Sequence, residues 1–171
     1  MKKIGKREWI LLIIAIIVFL MSFGYFCYRE IPNLLKPGIY YRTYTKESGW
    51  SKWSKNGETS GNKNAITAIQ IKLKGTNSKN VLYKTYSNDE WEKEYKTNGE
   101  ITGNKKDGIK EIKIKLSDKL NKKYTVKYKL KMRNTTWDTY STDDQTNFAK
   151  IDNNFKLVPC KYIQIKIEKR K

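Results

Sequence analysis

The chain of 171 residues is long enough for one domain of ordinary size. Its 36 Lys and Arg outnumber 17 Asp and Glu, a formal charge of +19 that predicts attraction to polyanions, and the absence of His removes the commonest general base and metal ligand near neutral pH. Only five of the cations are Arg, so the surface suits diffuse attraction better than bidentate reading of bases or phosphates.

The opening MKKIGKREW is followed by ILLIIAIIVFLMSFGYFCY, 19 residues from Ile10 to Tyr28 without a charge. A helix of that length, rising ~1.5 Å per residue, spans about 28 Å, close to the hydrocarbon core of a bilayer. Lys2, Lys3, Lys6 and Arg7 precede it, so residues 1–9 are expected as a cytoplasmic basic tail and 10–28 as a single-pass transmembrane signal anchor. Trp9, Tyr25 and Tyr28 stand at its two ends, where amphipathic aromatics favour the interface. The competing expectation is a cleaved signal peptide and a secreted product, with Ser22 and Gly24 as the small residues a peptidase needs. Because the apolar character runs on through Tyr25, Phe26 and Tyr28, the anchor is preferred. Either way the remainder is expected outside a bacterial cell membrane, where anionic wall polymer, polysaccharide and lipid precede any nucleic acid. Nucleic acid is not an expected partner. Cys27 and Cys160 are the only cysteines, and with Cys27 in or beside the apolar run no bridge between them is expected.

Residues 29–38 hold Pro32, Pro37 and Gly38 and are expected as an extended linker. Beyond them the chain repeats itself. YRTY (Tyr41, Tyr44) answers YKTY (Tyr83, Tyr86), Trp50 answers Trp91, and Trp53 answers Tyr95. The NGE starting at Asn56 returns at Asn98, Gly61 answers Gly103, and AIQIKL answers EIKIKL. A third, worn copy keeps Trp137 and Tyr140 at the same aromatic spacing and closes with YIQIKI, but it lacks both glycines, which predicts a loop with a new path. The three units are placed at about 39–78, 79–121 and 122–171.

The closing segments AIQIKLK, IKEIKIKL and YIQIKIEK alternate apolar and polar residues, the pattern of a half-buried strand with Lys outward. VLYKTY and YTVKYKL read as opening strands, and Asn-Gly marks a tight turn. With no helical apolar stripe beyond the anchor, residues 39–171 are expected as an all-β, three-repeat pseudo-threefold domain. A β-prism-like arrangement is preferred, with a β-trefoil-like one as the alternative.

The string Gly49-Trp50, Trp53, Asn56-Gly57-Glu58, Gly61 and AIQIKL resembles the ChW repeat, the clostridial hydrophobic repeat named for its Trp. The second unit departs from that pattern at Tyr95 and Glu90, and the third keeps only Trp137, an aromatic residue and the closing strand. The resemblance implies a Gram-positive surface module for binding or adhesion, with no catalytic residue of its own.

Three recurrent Trp, Trp50, Trp91 and Trp137, are expected chiefly to pack the shared core or cap sheet ends, since a repeated large aromatic is usually architecture. Trp53, Tyr95 and Tyr140 are the stronger candidates for a ligand-binding surface that stacks sugar rings. Tyr41, Tyr44, Tyr83 and Tyr86 fit either one aromatic face or alternating strand cores. The acidic Asp138, Asp143, Asp144 and Asp152 match no calcium-loop spacing and are expected as a solvated loop, so no metal or cofactor is assigned. Glu58 and Glu100 recur one per unit without an evident partner, and no enzyme is expected. The function expected is non-catalytic binding of cell-wall anionic polymer, polysaccharide or a surface protein by a membrane-anchored module. The alternative is an accessory structural subunit docking on another exported protein of a membrane or secretion complex.

Overall fold

The structure, a computed structural model, describes residues 5–34, 36–76, 80–132, 136–148 and 157–170. Lys2, Lys3 and Asp152, which carry sequence expectations, lie outside the described residues. The chain divides into two units, Met1–Lys36 and Pro37–Lys171.

The first unit is one helix, α1 (Lys6–Leu34). Its stretch Lys6–Phe26 is 21 residues long and apolar enough to cross a membrane, and its large side chains from Trp9 to Phe26 are exposed. The helix does not give way to an extended linker at Arg29 but continues to Leu34, ending two residues after Pro32. Proline removes only its own bond to the preceding turn, and its fixed φ of about −65° is compatible with helical backbone, so the helix can run past Pro32.

The second unit is built mostly of strands. Its first repeat supplies β1 (Gly38–Thr45), β2 (Gly49–Trp50), β3 (Ser54–Lys55), β4 (Thr59–Gly61) and β5 (Ala68–Lys74). The second supplies β6 (Val81–Ser87), β7 (Glu90–Trp91), β8 (Lys96–Thr97), β9 (Ile101–Thr102) and β10 (Glu111–Leu116). A four-residue helix, α2 (Asp118–Asn121), leads to β11 (Tyr124–Lys131), β12 (Ser141–Thr142), β13 (Asn147–Phe148) and β14 (Tyr162–Lys169). The short helix has no counterpart in the strand-only expectation, and its Leu120 reaches the core.

Each repeat forms one long antiparallel hairpin, β1 with β5, β6 with β10, and β11 with β14. The edge of each hairpin is then completed by a neighbour. β9 of the second repeat pairs with β5, β13 of the third with β10, and β4 of the first with β14. Strand donation therefore runs in a closed cycle, and no repeat completes its own sheet.

Alternation in the hairpins decides what is inside. Ile39 and Tyr41, Ile69, Ile71 and Leu73 turn inward from the first repeat, and Val81, Tyr83, Ile112, Ile114 and Leu116 from the second. Val126, Tyr128, Leu130, Ile163, Ile165 and Ile167 complete one core from the third. A single Ile–Tyr core serves all three. The YxxY pairs are split by parity, since residues three apart on a strand point to opposite faces. Tyr41 and Tyr83 are fully buried, whereas Tyr44 and Tyr86 stand half-buried on the outer side.

At one end the cycle is sealed by backbone. The Ile66 N–H donates to the Cys160 carbonyl (2.9 Å), Cys160 N–H to Ile109 (2.8 Å), and Ile109 N–H to Ile66 (2.8 Å). Ala65, Gly108 and Pro159 precede these residues and crowd together. A Cβ on Gly108 would lie 2.5 Å from the Pro159 Cβ, so the site tolerates only hydrogen there.

Candidate functional site

The NG turns fix the inner ends of the site. Glu58 N–H closes on the Lys55 carbonyl (2.8 Å) around Asn56-Gly57, and Glu100 N–H on Thr97 (2.9 Å) around Asn98-Gly99. In the third repeat, which lacks the glycines, Gln145 N–H closes on Thr142 (3.0 Å) around Asp143-Asp144, both at positive φ. Asp tolerates the left-handed region better than most residues, so the turn survives without Gly. Asp143 and Asp144 thus form a tight turn at the equivalent place instead of lying free in a solvated loop, with both residues at positive φ where the first two repeats have only Gly57 and Gly99 there; residues 149–156 of the same loop lie outside the described residues. Each turn then reaches its neighbour, with Gly57 N–H on Ile165, Gly99 N–H on Ile71 (both 2.7 Å) and Asp144 N–H on Ile114 (2.8 Å).

The carboxylates that looked available for chemistry are used on these turns. Glu58 accepts from the Lys55 N–H (2.8 Å) and Glu100 from the Thr97 N–H (2.6 Å), and the amide of Gln145 takes the same place for Thr142 (3.2 Å). Burial pushes the Cys160 thiol up to about 12, so it sits protonated in the core rather than poised as a nucleophile. Among the described residues no three His, Cys, Asp or Glu side chains are grouped to hold a metal ion.

The outer faces carry the aromatic candidates, and their arrangement repeats. Trp50 is held on β1 by β2, where it meets the Tyr44 ring edge-on (centroids 5.4 Å apart), and Trp91 sits likewise against Tyr86 (5.6 Å). Neither they nor Trp137 enter the core. All three are half-buried outside the core, which corrects the core-packing half of the expectation that they pack the core or cap sheet ends. The short strands β2 and β7 that carry Trp50 and Trp91 pair with the opening strands of their hairpins, and Trp137 lies in an irregular segment beside β11.

Between each aromatic pair runs a cation from the opening strand. The Arg42 guanidinium lies 4.7 Å from the Trp50 ring centre and 4.8 Å from Trp53. Lys84 stands over Trp91 (5.6 Å) and Tyr95 (4.8 Å), and Lys129 over Trp137 (4.8 Å) and Tyr140 (4.7 Å). A second cation comes from the closing strand onto the smaller aromatic position: Lys72 on Trp53 (4.5 Å), Lys115 on Tyr95 (4.2 Å) and Lys166 on Tyr140 (4.4 Å). Each contact is an attraction between the ring quadrupole and the charge, and it keeps a long flexible side chain in one place.

The structure thus brings all six aromatic candidates together in pairs, one pair per repeat. It also adds six cations, Arg42, Lys72, Lys84, Lys115, Lys129 and Lys166, that aromatic spacing alone did not single out. Part of the signal for them was present in strand parity, since each is an outward residue of an alternating strand, but which aromatic each one meets is not set by the strand register. No family model, no curated protein and no solved structure matches the chain.

Proposed function

We propose that this is a non-catalytic, membrane-anchored module on the outer face of a bacterial cell, which binds anionic polymer through three cation–aromatic faces. The repeats are read as ChW-like units in a pseudo-threefold, prism-like assembly, a reading supported by the closed cycle of strand donation. The observation that carries the functional reading is the clasp itself, repeated on three sheets. An unrestrained lysine must give up roughly 2 kcal/mol of rotamer freedom when a ligand immobilises it. A lysine already resting on an indole or phenol has given up part of that beforehand, so it is prepared for an anion. Because each ring already faces a cation, the arrangement favours capture of negative charge over stacking of a bare sugar ring.

The test uses the full chain in non-ionic detergent, sedimented with isolated Gram-positive walls across a salt series, before and after extraction of their anionic polymers. Binding should fall steeply between ~0.05 and 0.5 M salt, as the Debye length shortens, and should be lost with extraction. A Trp53→Ala, Tyr95→Ala, Tyr140→Ala variant should bind more weakly but keep its salt dependence. Binding indifferent to both salt and extraction would overturn the proposal and favour docking on an exported protein.

A further inference from the structure

The three faces differ in how much of their positive charge is already neutralised. In the second repeat Lys115 lies 3.6 Å from the Asp144 carboxylate, which also accepts the Tyr95 hydroxyl. In the third, Glu168 receives Lys127 (2.8 Å) and Lys166 (2.7 Å), and these ammonium groups hold its carboxyl down at about 2. The first repeat has the clasp without the counter-charge. Among the described residues no carboxylate stands in ion-pair contact with Lys55, Lys72 or Lys74. Glu58, the acidic residue of that turn, directs its carboxylate to the backbone N–H of Lys55.

These three lysines, with Tyr40 and Trp53, line a cleft of about 230 Å³. Lys72 rests over Trp53 and Lys74 over Tyr40, at 4.5 and 4.8 Å from the ring centres. The stem of Lys72 is further confined by the neighbouring repeat's turn, where a Cβ on Gly99 would stand 2.9 Å from its Cε. The cleft therefore presents two ammonium groups held over aromatic rings, the exposed Lys55 beside them, an apolar wall and no ion-paired carboxylate.

We propose that this cleft takes one phosphodiester group of a polyol- or sugar-phosphate chain, the phosphate between the lysines and the carbon skeleton along the aromatic wall. The assignment rests on the reading of the domain as a polyanion binder and names where on it the ligand is held. Three point-like ammonium groups suit a phosphate approached from several sides, whereas a carboxylate is matched best by the planar fork of Arg, and the one Arg nearby has its Nε on Gln70 (2.7 Å). At about 30 Å³ per water-sized volume, the cleft has room for a phosphate with its attached polyol carbons.

The experiment is titration calorimetry of the full chain in non-ionic detergent with a poly(glycerol phosphate) oligomer of defined length. Two charge-matched double variants are compared, Lys72→Gln with Lys74→Gln in the cleft, and Lys93→Gln with Lys106→Gln at exposed positions outside the three clasps. The cleft pair should weaken binding about tenfold or more, the scale of lost charge-assisted hydrogen bonds, and the control pair less than about threefold. Thermal melts establish that both variants are folded, and the exposed Lys55→Gln alone, expected to weaken binding about threefold, covers the case in which the cleft pair is not. Equal losses for both pairs would overturn the cleft while leaving diffuse polyanion binding in place. No binding by the unaltered protein at low salt would overturn the parent reading as well. A single-stranded oligonucleotide of equal phosphate number and phosphatidylglycerol vesicles form two further arms. If either binds more tightly than the oligomer and loses more with the cleft pair, the polyol-phosphate assignment is overturned in favour of that source.

Discussion

Tyr41, Tyr83 and Tyr128 occupy one position in the three repeats, fully buried with the hydroxyl turned to the turn of their own repeat. Tyr41 donates to the Glu58 carbonyl and Tyr128 to that of Gln145, and the Tyr83 hydroxyl lies 2.6 Å from the Glu100 carbonyl. Burial pushes the Tyr41 phenol from its ordinary 10.0 up to about 12, and burial raises Tyr83 and Tyr128 further. The folded-state value lies above the unfolded one, so the stabilisation is whole below pH ~10 and is lost as pH rises through the folded values. Denaturation midpoints should therefore fall above pH ~10, with tyrosinate absorbance appearing in step with unfolding. Tyr83→Phe should cost about 1–2 kcal/mol in urea denaturation, because the turn carbonyls lose their donor while the ring still fills the core. A Tyr41→Phe, Tyr83→Phe, Tyr128→Phe variant should lose much of the alkaline slope.

Among the elements, the least conspicuous strands, β4, β9 and β13, do the joining. β4 has three residues and β9 and β13 two each, yet each completes another repeat's sheet. Gly61 shows what this requires. It lies at φ +112° opposite Tyr162, and a Cβ there would stand 2.1 Å from the Lys161 carbonyl oxygen. Gly103 approaches the Thr67 carbonyl in the same way, at 2.5 Å. Gly61→Ala should thus destabilise by roughly 2 kcal/mol or more, from overpacking and a disfavoured backbone together. Hydrogen exchange should locate the weakening at β14, the recipient, as well as at β4. An effect confined to β4 would show that the strand is an ornament of its own repeat.

On the scale of the whole molecule, the cycle makes the repeats interdependent. An open array of repeats is stabilised by neighbours one at a time, and its ends can be trimmed or capped. Here each sheet lacks a strand until the other repeats are present, and the Ile66–Cys160–Ile109 hydrogen-bond ring needs all three. Removing residues 122–171 takes β13 from β10, leaves β4 without β14, and strips the third side from the core. That truncated chain should show no cooperative thermal transition, whereas the intact one should melt as a single unit by circular dichroism. A residual sharp transition in the truncated chain would mean that two repeats already hold a closed core.

The sequence by itself determined the elements whose cause is local. Alternation of Ile with Lys fixes a strand and its faces within seven or eight residues, a long uncharged run fixes a helix fit for a bilayer, and Asn-Gly fixes a turn. Only the tertiary structure decided what each element is for. Alternation could turn Lys72 outward on its own strand, but it could not bring Trp50 and Trp53, three residues apart and off that strand, to the same face, because that depends on which hairpin their segments lie against. The third turn was hidden because Asp143-Asp144 adopts by tolerance the backbone that Gly adopts freely, and a residue pattern records preference rather than outcome. The donated strands were illegible for a plainer reason. Two or three residues carry too little periodicity to declare a strand, and their conformation is imposed by the edge of a sheet that lies far away in sequence.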